Sequence, residues 1–244
     1  MERSDLLKPG GYRFFYDDAL FPPGTDSFLL SSLPRLKPGL RVCDLGCGTG
    51  LLGLLLLQRQ RELHVTGIEL QPQAADLARR TAAENGLTQR LQTLTGDLRN
   101  VRALLAAGSF DLAVCNPPYY SAGSGRAAAD PARRTARAET DCTLDDVCAA
   151  AAYLLRWGGA FCAVHKPERL TDLLCALREH GLEPKRLRAV CPAAGAAPSL
   201  ILAEGRRGGR PGLSVEPPLI LRTPDGAPTA EVDAIYFRGQ EDAL

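Results

Sequence analysis

The chain has 244 residues, 45% hydrophobic and 23% charged, the composition of an ordinary globular protein with a sizeable core. Lys and Arg number 29 against 28 Asp and Glu, a formal charge of +1, which excludes a polycation and confines any nucleic-acid contact to a local basic patch. None of the 8 cysteines is in Cys-x-x-Cys spacing and the 3 histidines show no paired ligand spacing, so buried reduced thiols are expected and no metal site.

Residues 1–24 are a polar lead-in dotted with aromatics and ending in FPPG. They hold no apolar core of a secretion signal. The longest apolar run, Leu51 to Leu57, is too short to span a bilayer, so the expected location is the cytoplasm. TDSFLLSSL predicts a short helix with Thr25 or Asp26 as its cap. GLRVCDLG predicts a strand entering a glycine loop, LLGLLLLQRQ the helix leaving it, and LHVTGIEL a second strand. QPQAADLARRTAAENGL predicts a helix with one apolar stripe, stopped at Asn85-Gly86.

RLQTLTGD and FDLAVCN predict the third and fourth strands, and the polar stretch 121–142 a long loop. LDDVCAAAAYLLRWGG predicts a helix ended by Gly158-Gly159, AFCAVHK a fifth strand, and RLTDLLCALREHG a helix. EPKRLRAVCP and PSLILAEGRR predict two more strands, and the remainder is rich in Pro, Gly and Arg around one apolar run, PPLILR. Strands alternating with helices imply a Rossmann-like α/β fold. Its sheet is expected to be mostly parallel and seven-stranded, with helices on both faces and an antiparallel last strand. A single domain over 1–244 is expected: an N-terminal motif and helix at 1–38, a core at 39–205 and an extension at 206–244.

The loop VCDLGCGTGLLG matches G-x-G-x-x-G at Gly48, Gly50 and Gly53, with Gly46 before them. Glycines there let the backbone turn sharply and approach a ligand at a helix start, which suits a dinucleotide as well as other nucleoside cofactors. Asp44 tilts the choice, because a carboxylate beside a pyrophosphate is unfavourable, whereas it suits the cationic S-adenosylmethionine. Glu69 ends the second strand in position to accept from ribose hydroxyls, and Asp97 closes the third, near where adenine would lie or simply as a helix cap. Leu70 and Leu98 follow these acids and are taken with them as cofactor-binding.

FDLAVCNPPYY raises the sharpest question, because prolines cannot continue a strand. An exocyclic or amide nitrogen is a poor nucleophile, its lone pair delocalised into the adjacent π-system. Acceptors on its two N–H groups, from the Asn116 side chain and the Pro117 carbonyl, return density to nitrogen, and prolines aim that carbonyl in advance. Tyr119 is expected to stack on a base withdrawn from any helix.

VCDLGCGTG, GIEL, GDL and NPPY in this order resemble the S-adenosylmethionine-dependent methyltransferases of amino and amide nitrogens. The likeness is nearest to the tRNA1(Val) (adenine-37-N6)-methyltransferase family. FPPGTDSFLL resembles its Gly-Thr-Asp motif, NPPYYSAGSG its catalytic loop, and GGRPGLSVEPPLILRTPDGAPTAEVDAIY its C-terminal segment, so the likeness covers residues 10–236. It implies methylation of an adenine N6 in RNA, most simply tRNA, with S-adenosylhomocysteine as product. Cofactor binding is implied for Thr25, Asp26, Asp44, Gly46, Gly48, Gly50, Glu69, Leu70, Asp97, Leu98 and Asn116. Catalysis is implied for Asn116, Pro117 and Tyr119, and substrate contact for Pro118, Tyr119, Arg133, Arg134 and Arg137. Further candidate phosphate contacts are Lys185, Arg186 and Arg188 and, in the tail, Arg206, Arg207 and Arg210.

Three readings stay open beside this one. Release-factor glutamine methyltransferases share the motif but resemble this core fused to a helical N-terminal domain, and only about 40 residues precede Asp44 here. A dehydrogenase would need a hydride site that the pattern does not offer. An inactive binding module would be expected to have lost residues such as Asp44, Glu69 and Asn116.

Overall fold

The computed structural model describes residues 1–18, 20, 23–117 and 142–239. The chain opens with a hairpin, β1 (Glu2–Leu6) and β2 (Arg13–Asp17), where an irregular lead-in was expected. Nothing in ERSDL alternates, and β1 is exposed throughout. The hairpin is held from outside, by a helix far along the chain. Asn85 accepts the Arg13 N–H at 2.8 Å and donates to the Arg13 carbonyl at 2.6 Å, while Thr81 accepts from Phe15 at 3.1 Å. The strand edge is thereby paired without a third strand.

Next come α1 (Thr25–Ser31), β3 (Arg41–Leu45), α2 (Leu51–Arg59), β4 (His64–Glu69), α3 (Pro72–Glu84) and β5 (Leu91–Thr95). A 3₁₀ turn at Leu98–Asn100 leads into α4 (Val101–Leu104) and β6 (Phe110–Cys115). Beyond residue 141 lie α5 (Leu144–Leu154), β7 (Leu155–His165), α6 (Leu170–Glu179), β8 (Leu182–Ala193), β9 (Leu200–Arg207), β10 (Ser214–Arg222) and α7 (Ala230–Ile235). The main sheet runs β10-β8-β9-β7-β6-β3-β4-β5. β9 is antiparallel to both neighbours and every other pair is parallel, the mostly parallel Rossmann-like arrangement expected.

The sheet has eight strands rather than seven. The extra one, β10, comes from the tail and lies on an edge, the one place where Pro217 and Pro218 break no ladder on a second side. Its Leu219 is fully buried against β8. The helix expected to run to Gly158-Gly159 stops at Leu154 instead, and Leu155 to Gly159 already belong to β7. Gly158 at φ 80° and a bulge opposite Phe110 and Leu112 absorb the change of direction.

Alternation along the central strands divides the core in two. Val42, Leu112 and Val114 face α1, α2 and α7, packing with Leu30, Leu54, Leu55 and Ile235. Cys43, Leu45, Ala113 and Cys115 face α5 and α6, packing with Val147, Leu154 and Leu173. Helix α2 is buried on all sides from Leu51 to Leu57, which explains why its sequence lacks an amphipathic stripe. All eight cysteines are free thiols, six of them buried. Among the described residues no helix is long and apolar enough to cross a membrane, and no cluster of three or more metal-ligating side chains occurs.

Candidate active site

The chain proceeds from β3 outward to β4 and β5, then returns to place β6 on the other side of β3. That reversal opens a crevice at the carboxyl ends of β3, β4 and β6, the usual ligand position in such sheets. Asp44, Glu69 and Asn116 lie at those three ends. Register pairs Asp44 with Gly67 on one side and Val114 on the other.

The turn after β3 is tied down by backbone groups. Gly46 and Cys47 both donate to the Ile68 carbonyl, at 2.9 and 3.0 Å, and Gly50 donates to the Cys47 carbonyl at 2.9 Å. Gly46 has φ 72°, a left-handed conformation that favours glycine, and a Cβ there would meet nothing within 4 Å. Gly67 has the opposite constraint. A Cβ on it would lie 2.5 Å from the Cys47 sulfur, so the strand can pass this close to the loop only as glycine.

Both carboxyl groups take part in building the loop. Glu69 Oε2 accepts the Gly48 N–H and Oε1 the Gln71 N–H, each at 2.8 Å. Sequence reasoning gave Glu69 a ligand role and missed this structural one; each oxygen keeps a lone pair for a further donor. Asp44 Oδ2 accepts the Gly53 N–H at 3.2 Å. Asp44 is 2% exposed and lies at the N-terminal turn of α2. Burial pushes its carboxyl up to about 7 against the Gly53 hydrogen bond, with the Glu69 charge adding to the rise. Burial also raises Glu69, opposed by the N–H groups of Gln71, Gly48 and Leu70.

Among the described residues no salt bridge neutralises either acid. Two buried carboxyl groups without a cation, beside a glycine turn with open space at Gly46, fit a ligand that brings positive charge and hydroxyl donors. Leu70 directly follows Glu69, and Leu98 opens the 3₁₀ turn. Asp97 caps that turn, accepting the Arg99 N–H at 2.9 Å, and its carboxylate pairs with the Arg99 guanidinium at 2.6 Å. The Arg99 hydrogen bond holds the Asp97 carboxyl below its ordinary value.

Thr25 and Asp26 do not cap α1. Gly24 is the N-cap, with no side-chain cap bond, and Thr25 is the first helical residue, its hydroxyl donating to Asp26 at 3.1 Å. Helix α1 nevertheless reaches the crevice. Asn116, the first residue past β6, donates from Nδ2 to the Ser27 hydroxyl oxygen at 3.2 Å. Ser27 is a residue that sequence reasoning missed, because a serine inside a short helix carries no signal. Pro117 is the last described residue of the motif. Pro118, Tyr119, Arg133, Arg134 and Arg137 lie outside the described residues.

The basic residues near β8 and β9, read from sequence as phosphate contacts, are occupied within the fold. Arg186 pairs with buried Glu204 at 2.5 Å and with Glu216 at 3.1 Å, Arg188 pairs with Glu231 at 2.7 Å, and Arg206 with Glu204 at 3.8 Å. Arg207 donates to the Tyr153 and Leu155 carbonyls, and Lys185 to the Arg210 carbonyl at 3.1 Å. A buried carboxylate such as Glu204 demands a cation, and this one supplies a structural reason for Arg186.

Comparison with known proteins gives concordant matches. A family model described as a methyltransferase small domain matches residues 21–171. A tRNA1(Val) (adenine(37)-N6)-methyltransferase of Dickeya chrysanthemi is 31% identical over 214 residues, 85% of this chain and 83% of that protein. Proteins of the same name from Porphyromonas gingivalis and Yersinia enterocolitica are 33% and 32% identical, over 75% and 67% of this chain and 73% and 66% of their own lengths. Among solved structures, a "predicted O-methyltransferase" from Agrobacterium tumefaciens superposes with a TM-score of 0.72 at 22% identity, covering 90% of this chain and 100% of that one. A geranyl diphosphate methyltransferase in complex with SAM gives 0.53 at 19% identity, over 74% and 75%. These two likenesses concern the fold.

Proposed function

The chain belongs to the methyltransferase small domain family, and from that premise we propose that it methylates the N6 amine of an adenine in tRNA, using S-adenosylmethionine. The observation that supports this most is the juxtaposition at one crevice of two buried acids, with no cation on either among the described residues, and an asparagine followed by proline. When bound, the cofactor supplies a methyl group activated by its sulfonium charge and leaves as S-adenosylhomocysteine.

The residues of this chain would then divide the work. Asp44 and the Gly46–Gly50 turn favour the cationic methionine end, Glu69 accepts from the ribose hydroxyls, and Leu70, Asp97 and Leu98 border the adenine. Thr25 and Asp26, at the start of α1, close over the methionine end. Asn116 Oδ1 and the Pro117 carbonyl each accept an N–H of the target amine, localising the lone pair on nitrogen and directing it toward the methyl group. Pro118 and Tyr119 would hold the flipped base by stacking, and Arg133, Arg134 and Arg137 would contact phosphates. We read the chain as one domain acting in the cytoplasm, where its substrate is made.

Incubating total tRNA with methyl-labelled S-adenosylmethionine, followed by nucleoside mass analysis, tests the reading. Label in N6-methyladenosine is expected. Unlabelled RNA beside a labelled protein would overturn it in favour of a side-chain amide acceptor.

A further inference from the structure

We propose that Arg99 competes with the cofactor's adenine for Asp97, and so sets how tightly and how selectively the adenine is held. The inference rests on the methyltransferase reading above and on the place of Asp97 in it. Asp97 stands two residues past the end of β5. The Gly96 N–H donates to the Glu69 carbonyl at 2.8 Å, which sets Asp97 beside the acid proposed for the ribose. An adenine amine donates hydrogen bonds, so a carboxylate can hold it only with a lone pair to spare.

Arg99 takes those lone pairs. A carboxylate offers about four acceptor positions, two on each oxygen. On Oδ1 the Arg99 backbone N–H lies at 2.9 Å and Nε at 3.0 Å; on Oδ2 Nε lies at 2.9 Å and Nη2 at 2.6 Å. The backbone bond belongs to the 3₁₀ turn that Asp97 caps. The guanidinium bonds are easier to give up: the Arg99 side chain is 43% exposed, and an exposed ion pair contributes little to a fold. A second acid also acts on this side chain. Helix α5 packs on the 3₁₀ turn, and the Asp97 hydrogen bond raises the Arg99 pKa with the Asp146 charge adding to the rise. Asp146 uses Oδ2 for its capping box with Thr143, at 2.9 and 2.7 Å, which leaves Oδ1 to accept a guanidinium. An arriving adenine therefore meets an acceptor already engaged, and a displaced Arg99 has a second carboxylate to turn to. The ion pair given up subtracts from cofactor affinity.

The test is calorimetric Kd for S-adenosylhomocysteine and for its inosine counterpart, which has a carbonyl where adenine has its amine. Arg99→Ala is expected to bind S-adenosylhomocysteine roughly threefold more tightly than wild type at low salt, the scale of one exposed ion pair, and the gap should narrow in high salt. The inosine ligand should gain nothing. Arg99→Lys, which keeps the charge and loses the planar fork, should fall between. In an Asp97→Ala background the gain from Arg99→Ala should vanish. A merely structural role for Arg99 would loosen the turn and weaken binding, the opposite sign. If Arg99→Ala fails to fold, Arg99→Gln takes its place. Unchanged or weaker binding of S-adenosylhomocysteine by the folded variant, an equal gain for the inosine ligand, or a gain that survives Asp97→Ala would each overturn the proposal. Asp97→Ala that binds as tightly as wild type would defeat Asp97 as the adenine's partner, and wild type that binds no S-adenosylhomocysteine would defeat the cofactor reading; either result takes the proposal with it.

Discussion

The two sides of the crevice are held in different ways. On the β3–β4 side, backbone N–H groups do the fixing: Gly48 and Gln71 on Glu69, Gly53 on Asp44, Gly46 and Cys47 on Ile68. On the β6 side, the Asn116 amide meets a side chain from another element, donating to the Ser27 hydroxyl of α1. Backbone-built sites hold their shape through most side-chain substitutions, whereas a side-chain contact can be altered by one. We propose that cofactor binding belongs to the first half and turnover to the second.

The largest expected effect should split the halves cleanly. Asn116→Ala is expected to lower kcat by about 100-fold or more while leaving cofactor Kd within about twofold, measured by single-turnover kinetics and calorimetry. Loss of both together would mean that the halves are one unit.

Asp44→Asn strikes the other half, and is expected to weaken cofactor binding roughly 10- to 100-fold. It also carries a pH signature. With its carboxyl raised from 3.8 to about 7, the folded chain keeps a proton that the unfolded chain has lost. This group's contribution to stability is therefore full below about 4, declines as pH rises through about 7, and stays lost above that. Denaturant titrations of the ligand-free protein from pH 4 to 9 should follow that slope, and Asp44→Asn should flatten it and be more stable at pH 8. A cationic ligand favours the ionised form, so binding near neutrality should release a proton, visible as buffer-dependent calorimetric heats.

A smaller effect tests how rigid the backbone-built half is. Gly67→Ala places a Cβ 2.5 Å from the Cys47 sulfur and 2.9 Å from its Cβ, forcing the loop or strand to move. Cofactor Kd is expected to rise about fivefold and stability to fall by about 1–3 kcal/mol, with kcat at saturating cofactor little changed. An unaffected Kd would show that the turn tolerates displacement.

What the sequence disclosed divides along similar lines. Strands β3, β4, β6, β7 and β9 are legible because each carries a run of apolar residues, the pattern that the buried centre of a mostly parallel sheet needs. The hairpin is not legible, since its stability lies in Asn85 and Thr81, more than sixty residues away. Strand β10 hides behind Pro217 and Pro218, which forbid a central strand and permit an edge. In the site, Asp44, Glu69 and Asn116 stand out by type and place. Gly67 and Ser27 do not, because a small residue beside a loop and a serine in a helix gain meaning only from what packs against them. Thr25 and Asp26 mislead for the reverse reason: good capping residues are displaced when Gly24 already supplies the extended turn.

The central claim is geometric, and a crystal structure with bound S-adenosylhomocysteine tests it most directly. The account predicts the ligand against the Gly46–Gly50 turn with its ribose hydroxyls on Glu69. Its sulfur should face Asn116 Oδ1 across a gap that admits a flat heterocycle. A ligand seated elsewhere, or an Asn116 oxygen turned into the core behind it, would contradict the account.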